Sequence, residues 1–167
     1  CKYRSVEKHN HFEDAECDCA NEHHGKLIST FYYAAKSLWF MSEGQRSVYE
    51  SAFPFLKDAN SFVLSSVFST SFFDKIEKLV KNNKNDKYIV LNSQSWIKDV
   101  NASTGWCTDN NKEYELLSGL SHDEFLQKLS ESKGISYFPS GNDTCPRMII
   151  EAKLLGCDIQ TNENVQH

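Results

Sequence analysis

From residue 88 onward, short apolar runs alternate with helix-patterned stretches, and this alternation narrows the possible folds more than any other feature of the chain. The apolar runs are 88–92, 114–120, 135–139 and 157–160. Between them lie predicted helices over 95–107 (weakened by Gly105), 122–132 (with Ser121 as its cap) and 146–155. Strands separated by helices are joined as βαβ units, which places them parallel with helices on both faces of the sheet. The expected fold class is therefore α/β, a Rossmann-like parallel sheet with flanking helices. Ligands on such sheets bind outside the C-terminal ends of the strands. The turns after Leu91 and after Pro139 both fall at that edge, so they are expected to be neighbours.

The last unit is the most specific. Residues 135–155 read I-S-Y-F-P-S-G-N-D-T-C-P-R-M-I-I-E-A-K-L-L: an apolar strand, a turn containing Gly141, then a helix opening with Pro146. Proline suits the first helical turn, and Thr144 or Cys145 is then the expected N-cap. The first-turn N–H groups have no intrahelical acceptor, and the helix dipole favours an anion there. Arg147 can offer a fork of donors to a phosphate. Glu151 leans back toward the same end, because helical side chains tilt to the N-terminus. The plain alternative for Arg147 and Glu151 is an i,i+4 surface ion pair. Lys98, after the turn that ends at Ser95, can supply a second positive charge; its plain alternative is a solvated lysine.

The first half is less regular. Helices are expected over 26–36, over 42–53 (capped by Ser42, stopped by Pro54) and over 72–81, the last using Phe73, Ile76, Leu79 and Val80. The run 37–42 reads as a buried strand and 61–67 as another. Phe31, Tyr32, Tyr33, Trp39 and Phe40 read as core. The all-polar stretch K-N-N-K-N-D-K at 81–87 is the expected linker, dividing 1–80 from 88–167.

Composition closes off some classes. The formal charge of -5 argues against a nucleic-acid partner, which calls for a basic face. No apolar run approaches the roughly 18 residues of a transmembrane helix. The six cysteines are scattered, so reduced thiols in a cytoplasmic setting are expected rather than a disulfide framework. Cys17 and Cys19, with His9, His11, His23 and His24 nearby, invite a zinc reading, but the C-x-C spacing is not that of zinc sites. The sequons at Asn101 and Asn142 read as chance matches. The chain starts at Cys1 rather than Met and stops at His167, just past a predicted strand, so it reads as a fragment.

The segment from Phe138 to Gly156 resembles the donor-site signature of retaining GT-B glycosyltransferases: an acid, seven residues, then Glu, followed by Ala and a nearby Gly. Asp143 and Glu151 stand at that separation. Residues 89–98 are similar to the family's first C-domain strand and phosphate-binding lysine. Residues 114–134 are similar to the strand and helix before the signature. More loosely, 36–67 resemble the end of the N-terminal domain and the crossover.

This resemblance implies a two-domain GT-B enzyme: 1–80 from the acceptor-side domain and crossover, and 88–167 a truncated nucleotide-sugar domain. It implies transfer of a sugar from a nucleotide-sugar to a glycan, lipid or protein acceptor, with retention and with no metal or other cofactor. Glu151 would hold the ribose and Asp143 the transferred sugar. Lys98, Arg147 and the amides around Thr144 and Cys145 would hold the diphosphate, with Ser95 and Gly141 in the adjoining turns. The sequence departs from the family at Asp143 (Glu is usual), Pro146 (Gly) and Asp99 (Gly). Those departures keep open a non-catalytic nucleotide-binding or interaction module on the same fold.

Overall fold

A computed structural model describes residues 23–166. The Cys17/Cys19 cluster with His9 and His11 lies outside the described residues. The chain divides into two compact units, Cys1–Val63 and Leu64–His167.

The described part of the first unit runs α1 (His23–Ala34), β1 (Leu38–Phe40), α2 (Glu43–Ala52), a 3-10 turn (Pro54–Asp58) and β2 (Ser61–Val63). Ser42 caps α2, its hydroxyl accepting from the Gln45 N–H at 3.0 Å. The strands pair in parallel, Leu38 with Ser61 and Phe40 with Val63. Leu38, Phe40 and Leu56 form the core, with Tyr32, Tyr49 and Phe53 packed on it. The run 37–42 is therefore not a fully buried strand. Its side chains alternate, and Trp39 is 70% exposed opposite Phe62, itself exposed. Phe31 and Tyr33 are also exposed rather than core, because α1 turns Tyr32 inward and its neighbours outward.

The second unit carries α3 (Thr70–Leu79), β3 (Tyr88–Leu91), a 3-10 turn (Trp96–Lys98), α4 (Val100–Asp109), β4 (Tyr114–Leu117), α5 (His122–Glu131), β5 (Gly134–Tyr137), α6 (Arg147–Leu154) and β6 (Asp158–Thr161). Its four strands are all parallel, in the order β4-β3-β5-β6. Alternate residues face opposite sides. Ile89, Leu117, Ile135 and Tyr137 pack with Ile76 of α3, Leu126 and Leu129 of α5 and Ile149 of α6. Tyr88 and Val90 face the other way, onto Cys107 and Trp106 of α4. Helices thus cover both faces, as the alternation implied.

The polar stretch 81–87 lies inside this second unit rather than between units. Ile76 is buried in the second unit's core, so α3 belongs there. The stretch itself is tied down by Asn85 N–H to Glu131 O at 2.8 Å and Lys81 Nζ to Glu131 at 2.7 Å. Within α3 the inward residues are Phe72, Ile76 and Leu79, whereas Phe73 and, just past the helix end, Val80 are exposed. The strand read over 61–67 stops at Val63.

The expected single helix over 95–107 is broken at Asp99, which sits in the left-handed region at φ 33°. There the short 3-10 turn ends and α4 begins, with the Asp99 carboxylate accepting from the Ala102 N–H at 3.0 Å. The left-handed backbone gives a physical reason why glycine would suit this position. Aspartate tolerates the conformation better than most side chains and supplies the cap as well. Ser121 and Glu124 form a capping box at the start of α5. For α6, Pro146 itself occupies the N-cap position, in place of the expected Thr144 or Cys145, and offers no side-chain cap.

Candidate functional site

The strand order fixes where a ligand can enter. From β3 the chain steps to β4 on one side and then returns to place β5 on the other. The crossover helices therefore diverge between the C-terminal ends of β3 and β5, opening a crevice at the switch point. The loops after these strands meet there. Ser140 N–H donates to Ile97 O at 2.9 Å, and Ser140 Oγ to Trp96 O at 2.9 Å. The ring of Trp96 lies so close to Gly141 that a Cβ there would touch it at 3.4 Å.

An open pocket of about 560 Å³ lies at this edge. Lys98 comes to it from the loop after β3, His122 and Phe125 from the start of α5, and Asp143, Cys145, Arg147 and Glu151 from the loop and helix after β5. Five of the residues singled out in the sequence thus converge: Lys98, Asp143, Cys145, Arg147 and Glu151. Ser95, Gly141 and Thr144 are not part of its lining. Ser95 opens the 3-10 turn, its carbonyl accepting from Lys98 N–H at 3.0 Å; Gly141 packs under Trp96, and Thr144 is buried.

Glu151 and Arg147 do not form the surface ion pair considered above. Glu151 is only 3% exposed, and its Oε1 bonds His122 Nε2 at 2.9 Å. Arg147 turns away, its guanidinium resting 4.8 Å over the ring of Phe68. Phe68 stacks on Phe72 with centroids 4.6 Å apart, and Phe72 in turn stacks on His122 at 6.4 Å. One row of rings therefore backs both Arg147 and the partner of Glu151. Asp143 accepts a 2.5 Å hydrogen bond at Oδ2 from the Tyr137 hydroxyl. Burial, and then the neighbouring Asp143 carboxylate, pushes the Tyr137 phenol far above its ordinary value, so it stays protonated and donates. Cys145 Sγ lies 3.0 Å from Ser66 Oγ.

Lys98 and Arg147 form no ion pair among the described residues, so two cations stand open to a ligand beside a helix N-terminus, in a pocket that Asp143 and Glu151 also line. That combination suits a multiply charged anion, with two oriented carboxylates beside it for hydroxyl groups. No group of three His, Cys, Asp or Glu side chains able to hold a metal occurs among the described residues. None of the helices is long and apolar enough to cross a membrane, among the described residues.

Sequence reading missed His122, Tyr137 and Phe68. His122 had a usable signal: it directly follows the Ser121 cap, at the strand-end edge where ligands bind. Tyr137 had none beyond being a polar-tipped residue at the end of an apolar strand. Phe68 lies in an irregular segment where pattern carries no information. Comparison of the chain with protein-family models, with curated proteins and with solved structures gave no match.

Proposed function

We propose that the second unit is the donor half of a GT-B-type retaining glycosyltransferase, a transferase that takes its sugar from a nucleoside diphosphate sugar. The observation that carries this reading is the convergence of Lys98, Arg147, Asp143 and Glu151 in one pocket at the switch point of a parallel sheet. Glu151 accepts hydrogen bonds from the ribose hydroxyls. Asp143 accepts from the sugar. Lys98 and Arg147 face the diphosphate and stabilise the charge that builds on it as the sugar leaves. The bond from the anomeric carbon to the diphosphate oxygen breaks, a bond to the acceptor oxygen forms on the same face, the acceptor hydroxyl passes its proton to the departing diphosphate oxygen, and the nucleoside diphosphate leaves. In this reading the leaving-group charge is met by protein cations, with no role assigned to a metal or other cofactor. Cys107, Cys145 and Cys157 are free thiols, in keeping with a cytoplasmic site supplied with nucleotide-sugars.

The test removes the charges singly. Lys98→Ala and Arg147→Ala should each weaken nucleoside diphosphate binding by about tenfold or more, the worth of one hydrogen bond to a charged group. Binding of the nucleoside without phosphates should stay constant. Calorimetric titration reads both, and equal losses for diphosphate and nucleoside would sink the assignment of these residues to the phosphates.

One observation favours a second reading, a nucleotide-binding module without transfer activity. Glu151 is already bonded to His122 and nearly enclosed, and Pro146 brings no N–H to the anion end of α6. Nucleotide affinity without sugar transfer or donor hydrolysis in the full-length protein would select it.

A further inference from the structure

We propose that Tyr137 is a positioning residue for Asp143 and sets the pocket's selectivity among sugars; this rests on the donor-site reading. Asp143 is fixed from three directions. Its Oδ2 takes the Tyr137 hydroxyl at 2.5 Å. Its N–H donates to Asn164 O at 2.8 Å, and its carbonyl accepts from Gln166 N–H at 3.0 Å. These last two bonds make a short parallel bridge between Asp143 and Val165 in the strap that follows β6. The strap also grips the loop upstream, where the side-chain amides of Asn162 and Asn164 both donate to Pro139 O at 2.9 Å.

An aspartate in a loop ordinarily samples several rotamers and presents either oxygen. Here the backbone is clamped and one oxygen is occupied. Tyr137 is 2% exposed, and its ring is packed in the sheet core, so the hydroxyl cannot follow a moving carboxylate. Asp143 is left with Oδ1 for a ligand, held in one place. A single fixed acceptor recognises a hydroxyl on one face of a sugar ring and rejects the epimer that points it elsewhere. A carboxylate free to rotate would accept either. Preorganisation of this kind raises affinity and selectivity by removing the ordering cost at binding.

The experiment uses the full-length protein, its Tyr137→Phe variant, Asp143→Asn and the double variant. The probes are UDP, GDP and ADP with their glucose conjugates, and UDP-galactose as the C4 epimer of UDP-glucose. In Tyr137→Phe, nucleoside diphosphate affinity should match wild type. The extra affinity contributed by the sugar should fall about tenfold, and discrimination between epimers should shrink with it. The double variant should bind no worse than Asp143→Asn alone, because the two residues act as one unit. A merely structural tyrosine would instead weaken all ligands alike and add to Asp143→Asn. A full sugar increment in Tyr137→Phe, or a wild-type protein whose affinity does not change when glucose is attached, overturns the proposal. Absence of nucleoside diphosphate binding in wild type overturns the donor-site reading together with it.

Discussion

Glu151→Ala should abolish nucleoside diphosphate binding while leaving the protein folded. The carboxylate is the most enclosed charged group in the pocket, at 3% exposure, and it faces the ligand edge from inside α6. Two ribose hydroxyls donating to it are worth about 1.5–3 kcal/mol each, so losing both costs affinity on the order of a hundredfold to ten-thousandfold. The fold should survive because the only side-chain partner left behind among the described residues is His122, whose side chain is 52% exposed and can return to water. Glu151→Gln, which keeps the shape and one acceptor, should fall between. Calorimetric titration measures the affinity, and thermal unfolding of the same samples checks the fold. Unchanged affinity in Glu151→Ala would remove the ribose assignment and the resemblance it came from.

Gly134→Ala should be the most damaging single-atom change in the sheet. Gly134 lies between Tyr88 of β3 and Asp158 of β6. The Tyr88 ring crosses over it, and the hydroxyl reaches Asp158 Oδ2 at 3.2 Å. An added Cβ would meet the Asp158 carbonyl oxygen at 2.5 Å and Tyr88 Cε1 at 2.7 Å. A ring can tilt, but a backbone carbonyl locked in the β5–β6 ladder has nowhere to go. The expected loss is about 3 kcal/mol, the upper end of overpacking costs, read from urea unfolding. Gly105→Ala is the control. It lies inside α4 with nothing within 4 Å of its would-be Cβ, so alanine there should stabilise by about 0.5–1 kcal/mol. If Gly134→Ala unfolds like wild type, the three strands are not as tightly spaced as described.

Much of the second unit was legible because its strands are buried and its connections are helical. Residues 88–91 and 134–137 are enclosed on both faces, and such strands show as unbroken apolar runs in a sequence. The Ser121 cap was readable because capping is local chemistry between residues three apart. The break at Asp99 was not, since a left-handed residue can hide in a helical pattern when it is not glycine. The first unit misled for a related reason. Trp39, Phe31 and Tyr33 look like core in composition, but only alternation along β1 and α1 decides which side faces inward, and a three-residue strand is too short to show it.

The site divided along the same line. The spacing of Asp143 and Glu151 survives in three dimensions because a strand, a turn and a helix are contiguous in the chain. Their partners are a long-range contact, His122 to Glu151, and a bond across the turn, Tyr137 to Asp143. Neither follows from periodicity. Arg147 and Glu151 are four residues apart and would pair on an exposed helix face. Burial of Glu151 and the Phe68 ring beneath Arg147 separate them.

Whether this pocket takes a nucleoside diphosphate sugar is tested most directly by thermal unfolding of the full-length protein during titration with UDP, GDP and ADP. A ligand at about 100 times its dissociation constant adds roughly 2.7 kcal/mol of stability. A donor pocket raises the unfolding temperature with a nucleoside diphosphate, but not with the nucleoside alone and not in Glu151→Ala. No shift with any of the three would contradict it.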